Sequence, residues 1–161
     1  MAADTQVRSR RRSMTALLAG AVAVVAFAPT VLAGSTTVTR GEFSAFAAGI
    51  GLPITGRAQM VRTADDKTFV SVHLEGLDDN ATYPVHVHAA ACDTDTADGH
   101  YKFDTNDPAE PPNEIWPGFS TNDAGVGNGK ATVLARAGET AVSVVVHDPI
   151  TKAKIACADL R

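Results

Sequence analysis

The sequence predicts an all-β protein with one long loop, and three features of the 161-residue chain indicate this fold class. Several short segments rich in valine and other β-branched residues alternate apolar and polar positions, as half-buried strands do. No segment after residue 33 shows a long helical period. A stretch rich in Asp, Asn, Pro and Gly runs from Cys92 to Gly129, and a loop of this length is usually functional or disordered. We therefore expect a sandwich or barrel of short antiparallel strands.

The first 33 residues are typical of an export signal rather than of the folded domain. "MAADTQVRSRRRSMTALLAGAVAVVAFAPTVLA" contains an arginine cluster, an apolar run and small residues before Gly34. The apolar run is shorter than the roughly 20 residues that a membrane helix needs. We expect residues 1–33 to be a signal peptide and the protein to be exported (secreted, periplasmic or in the cell envelope). A retained N-terminal anchor is the alternative, and a twin-arginine route stays open.

The rest of the chain divides into a segment without clear periodicity and a strand-rich domain. Residues 34–55 mix Gly, Ser, Thr and Ala, and we interpret them as a linker or loosely attached segment. Residues 56–161 begin with a predicted hairpin, "RAQMVRT" and "TFVSVHLEGL", joined by the polar turn "ADDK". Four more predicted strands follow: "YPVHVHA", "ATVLARA", "AVSVVVHD" and "AKIACADL".

The charge of the chain argues against a nucleic-acid ligand. Residues 1–33 hold four of the fourteen Lys and Arg but only one of the eighteen Asp and Glu, so the remainder has a formal charge of −7. A nucleic-acid-binding domain would present a basic surface. An anionic substrate would have to be attracted by local charge rather than by the net charge.

Two cysteines, Cys92 and Cys157, are present without a C-x-x-C motif. In an exported domain an even pair of cysteines is most simply a disulfide. Free buried thiols and metal thiolates are the alternatives.

Four of the five histidines predict a metal site. His86 and His88 are one residue apart in a predicted strand and therefore point to the same face. His100 lies in the long loop, and His147 ends the valine-rich predicted strand. A nitrogen-rich set suits copper, zinc or nickel. His73 alternates with Val72 and Leu74, so we expect His73 to face solvent.

The order of these motifs resembles the copper–zinc superoxide dismutase family over roughly residues 56–161. The matching residues are "VHVH" (85–88), Cys92, "GH" (99–100), "VVVHD" (144–148) and "KIAC" (154–157). The resemblance implies an eight-stranded Greek-key β-barrel or sandwich with copper on an outer face. It also implies that Cys92 and Cys157 form the family disulfide.

The resemblance assigns a metal role to each of the four histidines. His86, His88 and His147 match the permanent copper ligands of the family. His100 matches the histidine that bridges copper and zinc and leaves copper on reduction.

Two departures from the family pattern resemble its zinc-less, copper-only branch. The segment "YKFDTNDPAEPPNEIWPGFSTNDAG" after His100 contains no further histidine, whereas a structural zinc site needs four N, S or O ligands. We therefore expect copper without zinc. The segment "DPITKAKIA" is also too short for the family's charged substrate-steering loop.

Two further residues take specific roles in this interpretation. Glu114, in "NEIW", resembles the carboxylate that, in copper-only members, orients the histidine matched here by His100. An ordinary solvated loop acid is the alternative. Lys154 stands where the family has the arginine that binds superoxide. Lysine keeps the charge but loses the planar, two-pronged donor geometry. A surface lysine without a special role is the alternative here.

The function implied by the resemblance is copper-dependent dismutation of superoxide, an antioxidant oxidoreductase activity with His100 and Lys154 as catalytic residues. The first alternative is a non-catalytic copper-binding or buffering protein on the same fold. The second is a zinc hydrolase that uses three histidines, with Glu114 as the base. The expected partner is superoxide, a small anion, and association with the cell envelope stays open, as does the oligomeric state.

Overall fold

Antiparallel β-structure dominates residues 34–161, the part of the chain that the computed structural model describes. The predicted signal peptide, residues 1–33, lies outside the described residues. Two 3₁₀ helices, Ala47–Gly49 and Asp95–Ala97, interrupt the strands, and no helix within the described range is long and apolar enough to cross a membrane. The ten strands are β1 (Thr37–Glu42), β2 (Ser44–Ala45), β3 (Thr55–Arg62), β4 (Thr68–Glu75), β5 (Thr82–Tyr83), β6 (Val85–His88), β7 (Phe119–Ser120), β8 (Gly127–Val133), β9 (Ser143–His147) and β10 (Lys154–Asp159).

The strands form three sheets in which every pairing is antiparallel. The first sheet has the order β1-β3-β4-β8, the second β2-β10-β9-β6, and β5 and β7 form a two-stranded ribbon. Hydrogen bonding within residues 34–161 does not close either large sheet into a barrel. The predicted all-β class is confirmed, and the six predicted strands correspond to β3, β4, β6, β8, β9 and β10.

The β3–β4 hairpin shows how the sequence pattern determines which face is buried. Its register runs from Thr55 opposite Glu75 to Arg62 opposite Thr68. Along β4, Val70, Val72 and Leu74 are buried while the residues between them lie on the outer side. His73 is one of those outer residues, and a third of its side chain is exposed (33%), as expected from the alternation.

Strand β9 is buried along its whole length because it packs on both sides. Val144 and Val146 belong to the main core between the two large sheets. Val145 points the other way and contacts a smaller cluster with Ala97 and Cys157. The valine-rich run is therefore typical of a strand covered on both faces, and it fixes the place of the histidine that ends it.

Residues 34–55 differ from the predicted linker or loosely attached segment. β1 pairs with β3 over six residue pairs, β2 pairs with β10, and Phe43 lies in the core. Gly41 permits the close approach, because a Cβ atom there would lie 2.0 Å from the carbonyl oxygen of Asp159. β1 is an edge strand whose side chains are mostly exposed, so it lacks the apolar alternation by which the other strands were predicted.

The predicted long loop is present, although a short strand lies within it. Between β6 and β8 the chain contains one 3₁₀ helix and the two-residue strand β7 and is otherwise irregular. β8 begins at Gly127 and ends at Val133, earlier than the predicted segment "ATVLARA". The glycines and polar residues at the start of β8 hid this strand from the sequence pattern.

Candidate metal centre

The four predicted ligands His86, His88, His100 and His147 come together in the structure. One nitrogen from each ring lies within 4.8 Å of the corresponding nitrogen of every other ring. The centroids of His86 and His100 are 4.0 Å apart, and those of His88 and His100 are 4.9 Å apart. Within residues 34–161 this is the one group of three or more His, Cys, Asp or Glu side chains close enough to hold a metal ion.

Pairing of β6 with β9 places three of the histidines. His86 and His88 lie on β6, which pairs with β9 from Val85 opposite Val146 to His88 opposite Ser143. The end of β9 is held beside the start of β6, because the backbone N–H of His147 donates to Pro84 O at 2.9 Å. His147 therefore lies next to the H-x-H pair although it comes 59 positions after His88 in sequence.

The long loop brings His100 to the same place by pairing with β6 at Val87. The carbonyl of Val87 accepts from Tyr101 N at 2.9 Å, and its N–H donates to Ile115 O at 3.0 Å. A single residue of β6 thus fixes two separate parts of the loop. The residues next to these two contacts in sequence are His100 and Glu114.

The second nitrogen of three rings is fixed by an acceptor of the protein. His88 Nδ1 lies 2.9 Å from Ala97 O, His147 Nδ1 lies 3.0 Å from Lys152 O, and His100 Nδ1 lies 2.7 Å from Glu114 Oε2. A carbonyl oxygen can only accept, so Nδ1 of His88 and His147 carries the proton. Their Nε2 lone pairs are then available to a metal, as in histidine metal sites whose outer nitrogen is anchored.

Three buried ring nitrogens have no hydrogen-bond partner among the described residues: His86 Nδ1, His88 Nε2 and His147 Nε2. Buried polar atoms are normally satisfied, so three such atoms in one cluster require an explanation. A metal ion would satisfy all three at once. The donor set therefore fits a metal ion with nitrogen preference.

The surroundings keep the ligand rings neutral. Burial, together with the neighbouring rings of His100, His147 and His88, lowers the pKa of His86 to about 3. Burial also lowers the pKa of His88 to about 4, against the opposing effect of its hydrogen bond to Ala97. The pKa of His147 is lowered by burial in the same way. Neutral imidazole is the form that binds metal.

Glu114 is buried inside the loop, with 1% of its surface exposed, and is not a solvated acid. Its Oε2 atom accepts from His100 Nδ1 and from Trp116 Nε1, each at 2.7 Å. Trp116 in turn packs edge-on against His86, with ring centroids 5.2 Å apart. Glu114 and Trp116 thus connect a loop ring to a strand ring.

Lys154 is held beside the cluster by an unusual turn. Asp95 to Asp98 all have positive φ, between 38° and 65°, a region that side chains other than glycine rarely adopt. Lys154 Nζ donates to Thr96 O at 2.8 Å and also to Asp98 O. Ala97 O, between these two acceptors, anchors His88. The strained turn therefore aims three successive carbonyls at the ammonium and at one ligand ring.

The predicted disulfide between Cys92 and Cys157 is confirmed. The S–S distance is 2.08 Å and the Cα atoms are 5.8 Å apart, which excludes free thiols and metal thiolates at these positions. Asp159 adds a hydrogen bond from Cys92 N to its Oδ1 at 2.8 Å. Both contacts tie the start of the long loop to β10.

Several contacts of the centre could not be inferred from side-chain patterns. The carbonyls of Ala97 and Lys152 act through the backbone, which any residue possesses. Trp116 follows Glu114 by two residues in "NEIW". Only the folded loop shows that Trp116 Nε1 and His100 Nδ1 hydrogen-bond the same oxygen of Glu114.

Comparison of the sequence with protein-family models finds no match, and comparison with curated proteins also finds none.

Proposed function

We propose that this protein is a copper-dependent superoxide dismutase that acts outside the cytoplasm without a zinc site. The observation that carries the proposal is a cluster of three buried imidazole nitrogens without a hydrogen-bond partner in the described part of the chain. They lie beside His100, whose Nδ1 atom is held by the buried Glu114. The donor set alone suits copper, zinc or nickel. The order of motifs in the sequence, and its likeness to the copper-only branch, favour copper.

The strand histidines would hold the ion and fix its position. His86 would bind through Nδ1, and His88 and His147 through Nε2, the atoms that have no hydrogen-bond partner within residues 34–161. Copper, when bound, supplies one-electron redox chemistry, so that one superoxide is oxidised to oxygen and a second, with two protons, is reduced to hydrogen peroxide. The hydrogen bonds to Ala97 and Lys152 keep two of the rings from rotating.

His100 would be the proton carrier. Its side chain is 30% exposed, whereas His88 and His147 are buried. Because Glu114 holds Nδ1, a proton exchanged with substrate or water enters and leaves at Nε2. The hydrogen bond to Glu114 keeps the ring from turning while Nε2 exchanges the proton.

Lys154 would attract the anionic substrate. Its ammonium lies beside the cluster while the domain as a whole carries excess negative charge. Local positive charge at a site can draw in an anion against an unfavourable net charge.

The proposal includes a Greek-key barrel or sandwich fold and export from the cytoplasm. The two four-stranded sheets share one core and supply the eight strands that a Greek-key barrel or sandwich requires. The disulfide supports export, since such bonds persist in oxidising compartments.

A non-catalytic copper-binding protein is the second candidate, and one observation favours it. Lys154 replaces a two-pronged donor, and backbone carbonyls already engage its ammonium. Lys154→Arg distinguishes the two functions, because a weakened enzyme gains dismutation activity and a copper buffer gains none. A zinc hydrolase is less well supported, since the Oε2 of the buried Glu114 already accepts two hydrogen bonds.

The direct test is to load the metal-free protein with copper alone and measure superoxide dismutation. We expect activity above that of the same concentration of free copper, and no further gain on adding zinc. His147→Ala, which removes one strand ligand, should reduce the activity to the free-copper level. Activity that requires zinc, or none above background, would contradict the proposal.

A further inference from the structure

The outer face of the first sheet is far more polar than the inner face, which packs into the core. Its side chains lie in three rows across the strands, fixed by the register of β1, β3, β4 and β8. The rows are Val38, Val61, Phe69 and Thr132; then Arg40, Gln59, Ser71 and Lys130; then Glu42, Arg57, His73 and Asn128. We call these twelve residues the outer sheet face.

Three cations line a concave part of this face. Arg40, Arg57 and Lys130 surround a cavity of about 350 Å³, which is also lined by the carboxylate Glu42 and by uncharged residues of the sheet. The described residues carry ten Lys and Arg against seventeen Asp and Glu. A local excess of positive charge is therefore unusual in this domain.

Two of these cations have no partner in the described part of the chain. Each of the other eight Lys and Arg side chains donates a hydrogen bond to a carbonyl, amide, hydroxyl or carboxylate oxygen. Arg57 and Lys130 make neither a hydrogen bond nor an ion pair through their side chains within residues 34–161. Arg40 uses only Nε, which donates to Gln59 Oε1 at 3.0 Å.

The acids near this cavity leave its cations available. Glu75, at the edge of the face, is engaged by His73, whose Nε2 lies 3.1 Å from Glu75 Oε1. Glu42 is the one carboxylate among the twelve residues, at one end of the third row. Among the twelve residues, three cations therefore accompany one carboxylate, Glu42, which makes no side-chain hydrogen bond or ion pair within residues 34–161.

The spacing of the cations indicates an extended ligand. Arg40 and Lys130 stand at opposite ends of the second row, where their backbones are three strand spacings or about 14 Å apart. Three cations spread over this width can engage several negative charges at once. A polymer with repeated negative charges presents such a set.

The groups between and beside the cations indicate the chemistry of that polymer. Gln59, Ser71 and Asn128 offer neutral donors and acceptors suited to hydroxyl groups. Phe69, on the adjoining row, is 41% exposed and offers a flat apolar surface next to them. We propose that the outer sheet face binds an acidic polysaccharide, with its carboxylate or sulfate groups on the cations and a sugar ring on Phe69.

Calorimetric titration of the copper-loaded protein at low salt tests this inference independently of the dismutase activity. Polygalacturonate and dextran sulfate serve as carboxylate and sulfate probes, neutral dextran as an uncharged polymer, and polyglutamate as a polyanion without sugar rings. We expect binding to at least one acidic polysaccharide, weakening with added salt, and none to dextran.

Matched variants locate the site. The double substitution Arg57→Gln and Lys130→Gln should weaken binding about tenfold, since it removes two exposed charge pairs. Lys102→Gln with Lys152→Gln changes the net charge equally at two loop lysines outside the face and should change affinity less than about twofold. Arg57→Lys with Lys130→Arg keeps the charges and should retain binding.

Phe69→Thr separates a polysaccharide from a general polyanion. It should weaken binding of the acidic polysaccharide several-fold and leave polyglutamate unaffected. The inference is overturned if neither acidic polysaccharide binds or if Phe69→Thr has no effect. It is also overturned if the Arg57 and Lys130 double substitution weakens binding no more than the control double substitution does. It is also overturned if sedimentation shows that the face is covered by a second copy of the chain, released by the Arg57 and Lys130 substitutions.

Discussion

At the scale of single residues, the hydrogen-bond partner of Nδ1 determines whether Nε2 of the same imidazole can bind a metal. Backbone carbonyls of Ala97 and Lys152 set the tautomers of two strand rings, whereas a buried carboxylate sets that of His100. The ring to which we assign the proton-carrying role is the one held by a side chain rather than by a backbone carbonyl.

Glu114→Ala should weaken copper binding about 10- to 100-fold, because loss of an anchoring group frees the His100 ring. Glu114→Gln keeps an acceptor oxygen and should lose less. Copper affinity is measured by competition with a chelator, and ring-nitrogen NMR of the metal-free protein reports the His100 tautomer.

Trp116→Phe is the control for this position. It removes the second hydrogen bond to Glu114 but leaves the contact of Glu114 with His100, so copper affinity should stay close to that of the unchanged protein. An equal loss in Trp116→Phe and Glu114→Ala would show that Glu114 merely supports loop packing.

At the scale of elements, strands whose apolar and polar residues alternate could be predicted from the sequence. Segments that are held by backbone hydrogen bonds could not. β3 and β4 follow from the sequence because their apolar residues alternate, whereas β1 pairs through its backbone and exposes its side chains. The four histidines of the site could likewise be recognised from the order of the sequence motifs. Their convergence depends on Val87 pairing with two parts of the loop, for which no side-chain pattern exists.

Gly129→Ala should destabilise the fold by about 1–3 kcal/mol, the usual cost of overpacking. A Cβ atom at Gly129 would lie 1.9 Å from Pro117 O, so the segment that carries Trp116 must move away from β8. Denaturant unfolding measures the stability, and chelator competition should show weaker copper binding in the same variant.

Gly138→Ala is the matched control. A Cβ atom there would contact only Tyr101 Oη, at 3.5 Å, an ordinary van der Waals distance. Stability should change by less than about 1 kcal/mol. Equal effects of the two substitutions would contradict the close approach of Pro117 to β8.

At the scale of the whole molecule, the disulfide connects the long loop to the sheet that carries His86, His88 and His147. Cys157 lies on β10, beside β9, and Cys92 lies at the start of the loop that contains Ala97 and His100. One covalent bond therefore limits how far the loop can move from β6. The resemblance predicted this pairing, but the hydrogen bond from Cys92 N to Asp159 appears only in the fold.

Replacing both cysteines with alanine should lower the free energy of unfolding by about 4 kcal/mol, as chain entropy predicts for a crosslink between residues separated by 65 positions. Denaturant unfolding of the metal-free protein measures the change. Reduction of the unmutated protein should produce a comparable loss. Unchanged stability in both cases would contradict a structural role for the bond.

The central claim is that the histidine cluster holds one copper ion, and electron paramagnetic resonance of the copper(II)-loaded protein tests it most directly. We expect one copper per chain with hyperfine splitting from several histidine nitrogens, and a changed spectrum in His86→Ala. His73→Ala, which removes a histidine on the outer sheet face, should leave the spectrum unchanged. A spectrum of oxygen-ligated copper, or one insensitive to His86→Ala, would contradict the account.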